Sequence, residues 1–362
     1  MSRRSQLGVW PPLPLDVYRR PANPPPYPLR EHSCRLYRFG RQALWHGVRA
    51  LGLSASDEIL VPAYHHGSEV EALLQAGLAC TFYEGSEELS PDEDELETLL
   101  TDRTRALLLI HYAGFPQDAA RWRRWCDDHG LLLIEDAAQS WLASHEGRPV
   151  GMQGALSIFC IYKTFGLPDG AAAVGATAAS DAGGRGRFGA RGLARVHAAW
   201  LMTRFGRLAQ LSAGLVERPY VPEEDFALGD PETSPSRATI RLLPRVADPG
   251  AAQARRENYS RLLVELGELV APPFRTVPGG ASPFLFPIRT VDKPGVLGWL
   301  RSRGIVGLDF WSVAHPSLPA GRFPRAASLR SSIVGLPVHQ ELRAGDLDRI
   351  ATAVLERPPR LD

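Results

Sequence analysis

The chain has 362 residues, 44% hydrophobic and 22% charged, enough apolar material for a large globular domain with a smaller one beside it. Lys+Arg 41 against Asp+Glu 40 leave a formal charge of +1, so no global field selects nucleic acid or an anionic membrane as partner. The cations are almost all arginine, with lysine at positions 163 and 293 alone, so a lysine in a motif is not drawn from a crowd.

Residues 1–30 are rich in proline, including Pro24-Pro25-Pro26, and read as an extended arm without helix or strand pairing. Helix and strand then alternate. Ala43 to Leu51 reads as helix, Ile59 to Val61 as strand, Glu69 to Gln75 as helix and Cys80 to Tyr83 as strand. Asp92 to Leu100 is helical, Ala106 to Ile110 a strand, Ala119 to His129 helical and Leu131 to Ile134 a strand. Leu156 to Tyr162 is a further buried strand. Such alternation predicts an α/β fold, a mostly parallel sheet with helices on both faces and ligands at the strand carboxyl ends. The rhythm breaks over 180–235, where the glycine- and arginine-rich run from Asp181 to Gly192 reads as a loop and Arg195 to Leu211 as helix. Pro249 to Val270 reads as a linking helix. A small α+β unit follows, with strands Phe284 to Arg289 and Ile305 to Leu308 and helices Val296 to Arg303 and Asp346 to Leu355. The expected division is an arm over 1–30, a cofactor-binding domain over 31–245 and a small domain over 246–362.

Cys34, Cys80, Cys126 and Cys160 have no paired spacing and read as reduced thiols, and no metal-ligand spacing such as HExxH is present. No apolar stretch is long enough to span a bilayer, and proline follows the basic N-terminus where a signal peptide needs an apolar core. The expected location is the cytoplasm.

Chemistry collects at two strand ends. The run Leu131-Leu132-Leu133-Ile134 ends in Glu135-Asp136-Ala137-Ala138-Gln139-Ser140, and the run from Leu156 ends in Lys163, with Ser157 inside it. An acid, an amide, a hydroxyl and an amine form the set that pyridoxal 5'-phosphate requires. Lys163 would form the Schiff base, its pKa depressed by burial near a cationic ring; arginine, always protonated, could not substitute. Asp136 would keep the pyridinium nitrogen protonated, and Gln139 would approach the ring oxygen.

This pattern resembles the DegT/DnrJ/EryC1/StrS family of sugar aminotransferases, pyridoxal-phosphate enzymes of fold type I. The glycines from Gly147 to Gly154 fall between the two motifs, as in the family. Further anchors are Asp57-Glu58-Ile59-Leu60-Val61-Pro62, the turn from His111 to Asp118, and Leu336-Pro337-Val338-His339-Gln340-Glu341-Leu342. The resemblance implies a transaminase acting on a keto sugar, nucleotide-linked, with glutamate as amino donor, working as a homodimer. It implies that Ser157 and the turn Gly40-Arg41-Gln42 meet the cofactor phosphate and that His66 stacks on its ring. Tyr64, Arg241, His315 and His339 fall to the substrate side.

Two departures stand out. Arg41 replaces a threonine of the phosphate turn, and Thr239 replaces an asparagine in the element the family donates across its dimer. They leave open a catalytically inactive or regulatory homologue. A dehydratase of the same fold is a further alternative, although that branch carries histidine at the position of Lys163.

Overall fold

The computed structural model describes residues 5–175, 186–204 and 222–361. Fourteen short strands form among them. The central sheet uses β2 (Arg35–Tyr37), β3 (Glu58–Pro62), β4 (Ala79–Tyr83), β5 (Thr104–Ile110), β6 (Leu132–Asp136), β9 (Leu156–Cys160) and β10 (Ala171–Val174). Its order is β2-β10-β9-β6-β5-β3-β4. The five strands from β9 to β4 run parallel, and β10 pairs antiparallel with both β9 and β2. Side chains alternate across the pleat. Ile59, Val61, Leu108 and Ile134 enter one apolar cluster, and Leu60, Leu107, Leu109 and Leu133 enter another on the opposite face. Burial on both faces explains why these strands read as continuous apolar runs.

Helices fill the crossovers. Glu93–Leu99 and Ala119–Asp128 start at Asp92 and Asp118, whose carboxylates accept the amides of Glu95 and Arg121. A hairpin of β7 (Ser144–His145) and β8 (Arg148–Pro149) interrupts the path from β6 to β9. The helix Ala190–Arg204 occupies part of the span read as a loop and then a helix, while residues 180–185 and 205–221 of that span lie outside the described residues. The helix Ala251–Leu266 leads to a three-stranded antiparallel sheet, β11 (Phe286–Arg289), β14 (Ile333–Leu336) and β13 (Leu308–Asp309). The largest apolar cluster continues from the central sheet into this region through Tyr259, Phe286, Leu300 and Ile350.

The N-terminal arm differs from expectation. β1 (Leu7–Gly8) pairs in parallel with β12 (Ile305–Val306), and Leu15–Arg19 forms a 3-10 helix. Arg349 fastens the start of the arm by donating to Ser5 Oγ, 2.6 Å away. The arm then passes behind the turn after Lys163, where a Cβ on Gly166 would lie 2.4 Å from the Pro12 backbone. Proline limits a chain's pairing but does not forbid it on either side of a proline-free dipeptide. No helix of the described residues is long and apolar enough to cross a membrane.

Candidate active site

Adjacent residues at the end of β6 take opposite duties because they face opposite ways. Glu135 is fully buried. Its Oε2 accepts from His111 Nε2 at 3.0 Å and Gly151 N at 2.9 Å, and its Oε1 from Gln153 N at 2.8 Å and Gly154 N at 2.6 Å. Burial opposes the charge, but His111 and the loop amides outweigh it and hold Glu135 below the usual carboxylate range. This carboxylate ties the glycine-rich loop to the sheet. Gly151 has φ +86°, and a Cβ there would meet the Phe159 ring at 2.4 Å.

Asp136 turns to the other face. Its Oδ1 accepts from Ala138 N at 2.8 Å, the one hydrogen bond the carboxylate makes among the described residues. Burial and the neighbouring Glu69 push its pKa up to about 6, against the pull of Lys163. Gln139 Oε1 accepts from Ala113 N at 2.8 Å, which fixes the amide and leaves Nε2 as its donor end.

Lys163 lies in the helical turn Ile161–Thr164 that follows β9. Its Nζ makes no hydrogen bond or ion pair among the described residues. Burial favours the neutral amine, but Cys160, Tyr162, Asp136 and Glu69 outweigh it and raise its pKa, contrary to the depression expected from sequence. Burial holds the Cys160 thiol and the Tyr162 phenol up, so both are un-ionised at neutral pH, and Asp136 and Glu69 are the anions that remain. His66 joins this cluster, its imidazole lowered to about 4 by burial against Glu69 and so neutral. Its ring meets Phe226 and Trp311 edge-on, both at 5.9 Å.

Ser157 requires a correction. In the parallel pairing Glu135 opposes Ser157 and Asp136 opposes Ile158. Ser157 therefore shares the face of Glu135, and a Cβ on Gly154 would lie 2.8 Å from its hydroxyl. Its Oγ is buried without a partner on the side away from Asp136. One position along a strand reverses the face.

The turn at Gly40 opens the helix Gly40–Ala50 against the end of β9, with a Cβ on Gly40 only 2.7 Å from Cys160 Sγ. The Gly40 amide faces that sulfur. Arg41 leans over the Phe39 ring at 5.0 Å and donates from Nη1 to Asp225 O at 2.5 Å, while its Nε is buried without a partner. Gln42 is occupied at both ends and so is corrected to a capping residue: Oε1 accepts from Phe39 N at 3.2 Å and Nε2 donates to Asp230 O at 2.7 Å.

The four substrate-side residues do not converge on Lys163. Tyr64 is core, its hydroxyl donated to Phe310 O at 2.6 Å and its ring packed among Tyr112, Phe310 and Trp311. His315 pairs with Glu71 Oε2 at 3.1 Å and packs on Phe226 at 5.4 Å, one ring away from His66. His339 accepts from Glu341 N at 3.2 Å, and burial beside Arg255 lowers its pKa to about 3. Arg241 is exposed on the helix Arg237–Val246 and makes no hydrogen bond or ion pair among the described residues. Thr239 is buried, its hydroxyl 2.7 Å from Asp169 Oδ1.

Sequence reasoning missed Glu69. Its buried carboxylate accepts from His66 N at 2.9 Å and Gly67 N at 3.1 Å at the start of the helix Ser68–Gln75. An acid in a helix's first turn is too common a signal to single out. No cluster of metal-ligating side chains occurs among the described residues.

An amine, a carboxylate and an amide donor brought to neighbouring strand ends match a known constellation. Residues 38–181 fit the model of the DegT/DnrJ/EryC1/StrS aminotransferase family. Over that stretch, less than half of its length, the chain is similar to this family. The dTDP-3-amino-3,4,6-trideoxy-alpha-D-glucose transaminase of Streptomyces venezuelae is 28% identical over 334 residues, 89% of this chain and 82% of that one. GDP-perosamine synthase of Vibrio cholerae is 32% identical over a shorter stretch of 124 residues, 34% of each chain. Among solved structures, DesV of S. venezuelae superposes with a TM-score of 0.65 at 25% identity, covering 91% of this chain and 85% of that one. The fold is also shared with a putative sugar aminotransferase of Streptococcus pneumoniae, at a TM-score of 0.64 and 16% identity over 95% of both chains.

Proposed function

We propose that the protein is a pyridoxal-phosphate-dependent aminotransferase that moves an amino group, from glutamate, to a nucleotide-linked keto sugar. The observation that carries this reading is the unpaired amine of Lys163 after β9, electrostatically coupled to Asp136 at the end of the neighbouring strand β6. The donor set fits the cofactor. Asp136 has one protein donor and room to accept another, Gln139 presents Nε2, and the imidazole of His66 is neutral and free of the charge that would oppose stacking on a cationic ring.

Pyridoxal phosphate supplies an electron sink for charge developed at the substrate carbon. The protein's part is to hold it and manage protons. Lys163 would attach the cofactor and, once displaced by the substrate amine, carry the proton removed from the substrate carbon. Asp136 would keep the ring nitrogen protonated, and that cation would in turn keep Asp136 ionised. Gln139 Nε2 would donate to the ring oxygen, and His66 would pack on the ring. At the phosphate end the groups left are the amide of Arg41 in the first turn of the helix Gly40–Ala50, with the helix dipole behind it, and the guanidinium of Arg41. The relatives' names support the sugar; the amino donor and a homodimer are what the family resemblance implies, and the cytoplasmic location rests on the sequence reading.

The sparse phosphate end favours one other reading, a homologue of the same fold that has lost turnover. Ser157 faces away from Asp136 and the Thr239 hydroxyl is engaged by Asp169. A visible spectrum separates the two. Purified protein given pyridoxal phosphate should turn yellow, and glutamate should bleach the band. A yellow protein inert to glutamate and other amino donors would favour the second reading, and a colourless one would refute the first.

A further inference from the structure

Arg255 is 1% exposed and makes no ion pair among the described residues. Burial lowers its pKa to about 9, so it remains a cation at neutral pH. A buried cation bonded only to neutral oxygens, with the Glu341 carboxylate acting on it from beyond ion-pair distance, is a costly way to fill a core, since an apolar side chain of similar volume avoids the desolvation. What the guanidinium does instead is geometric. Nη2 donates to Thr164 O at 2.7 Å, Nη1 to Pro283 O at 3.0 Å and Nε to Gln340 Oε1 at 2.8 Å. Gln340 Nε2 then donates to the same Thr164 carbonyl at 3.1 Å. The ring closes: one carbonyl, the one directly after Lys163, receives two donors that are themselves bonded to each other.

Thr164 ends the helical turn that carries Lys163; the Phe165 amide bonds back to Ile161 O at 3.0 Å, but the Thr164 carbonyl has no following turn to donate to it. Arg255 comes from the linking helix Ala251–Leu266 and Gln340 from the segment after β14. On the far side the arm closes against Gly166 at Pro12. The turn is thus gripped from outside the sheet that bears it.

We propose that Arg255, paired with Gln340, is a positioning residue for Lys163: the closed ring on Thr164 O sets the turn from which the amine reaches its cofactor. This rests on the reading of Lys163 as the cofactor-bearing residue. The step it governs is attachment, in which the amine adds to the cofactor aldehyde, a carbon–nitrogen double bond forms and water leaves. Arg255 touches neither reactant and acts through the turn alone.

Attachment and binding can be read apart. Stopped-flow absorbance after mixing apoprotein with increasing pyridoxal phosphate gives a saturable binding constant and a limiting rate of band formation. Arg255→Met should unfold below the wild-type temperature, since Pro283 O and Gln340 Oε1 lose their donor. Its limiting rate should fall about 10–100-fold, because a displaced reacting group loses its orientation. Its binding constant should hold, and the induced circular dichroism of the band should weaken. Arg255→Lys should not restore the rate, since an ammonium lacks the planar fork. Gln340→Leu, which leaves the arginine in place, should slow attachment in the same direction by a smaller factor, and it decides the matter if Arg255→Met does not fold. Folded variants that attach cofactor at the wild-type rate, with unchanged dichroism, would overturn the proposal. Wild-type protein that forms no band would overturn the cofactor reading, and the clamp with it.

Discussion

Replacing Asp136 by asparagine should strengthen the cofactor-free fold at alkaline pH while disabling the chemistry. The carboxyl is buried and its pKa rises from 3.8 to about 6, already net of the opposing pull of Lys163. A group whose pKa is raised by folding costs nothing below the unfolded value, where both states are protonated. The cost grows between the two values and is complete above the folded one. At ~1.4 kcal/mol for each pH unit, the ionised carboxylate weakens the apoprotein by about 3 kcal/mol at pH 8 and about 1 kcal/mol at pH 4.5. Asparagine escapes that cost and keeps an oxygen for Ala138 N. Urea unfolding of both apoproteins at the two pH values reads the difference directly. A variant no more stable than wild type at pH 8, or one whose advantage is flat with pH, refutes the account of Asp136 as a desolvated acid. In loaded enzyme the same substitution should lower transamination by orders of magnitude, because the ring nitrogen loses its anion.

Borohydride reduction of the loaded protein should fix the cofactor to Lys163, and Lys163→Ala should lose the visible band. Label on Lys293 would sink the assignment, and that amine is already engaged by Arg330 O at 2.7 Å and Asp309 at 2.5 Å. Glu135→Gln should destabilise the fold by about 3 kcal/mol or more, since four donors lose a charged acceptor and two of them meet an NH2 instead; an unchanged urea midpoint would contradict the knot assigned to Glu135. Arg41→Ala should weaken cofactor affinity about tenfold, the worth of one charge-assisted bond, with the fold intact. Titration of apoprotein checks this, and unchanged affinity would mean that the Asp225 carbonyl is the whole of the arginine's role.

The parts of the site legible in sequence were those decided locally. β6 and β9 announce themselves as apolar runs with chemistry at their ends, and Asp136, Gln139 and Lys163 are brought to one end of the sheet. The errors come from effects that act at a distance or at fine grain. Ser157 is adjacent to the position facing Asp136, and a hydroxyl on a strand carries no mark of which face it takes until the register is known. Gln42 and Tyr64 hold polar atoms whose partners, Asp230 and Phe310, lie 188 and 246 residues along the chain. The rise in the Lys163 pKa comes from its neighbours Cys160, Tyr162 and Asp136 together with Glu69, which a different crossover contributes. The arm looked unpaired because its partner strand is nearly the whole chain away.

That pairing sets a clock. Leu7 lies opposite Ile305, which is made 298 residues later. At ~5–20 residues per second the arm waits about 15–60 s for its strand. Through that interval Leu7, buried in the finished molecule, lacks the strand it pairs with, while Leu13 packs with Trp141, Phe159 and Leu242, all made before Ile305. The β1 strand is therefore closed only by a segment made far later, and until that segment emerges the strand is open to chaperones and to misassembly.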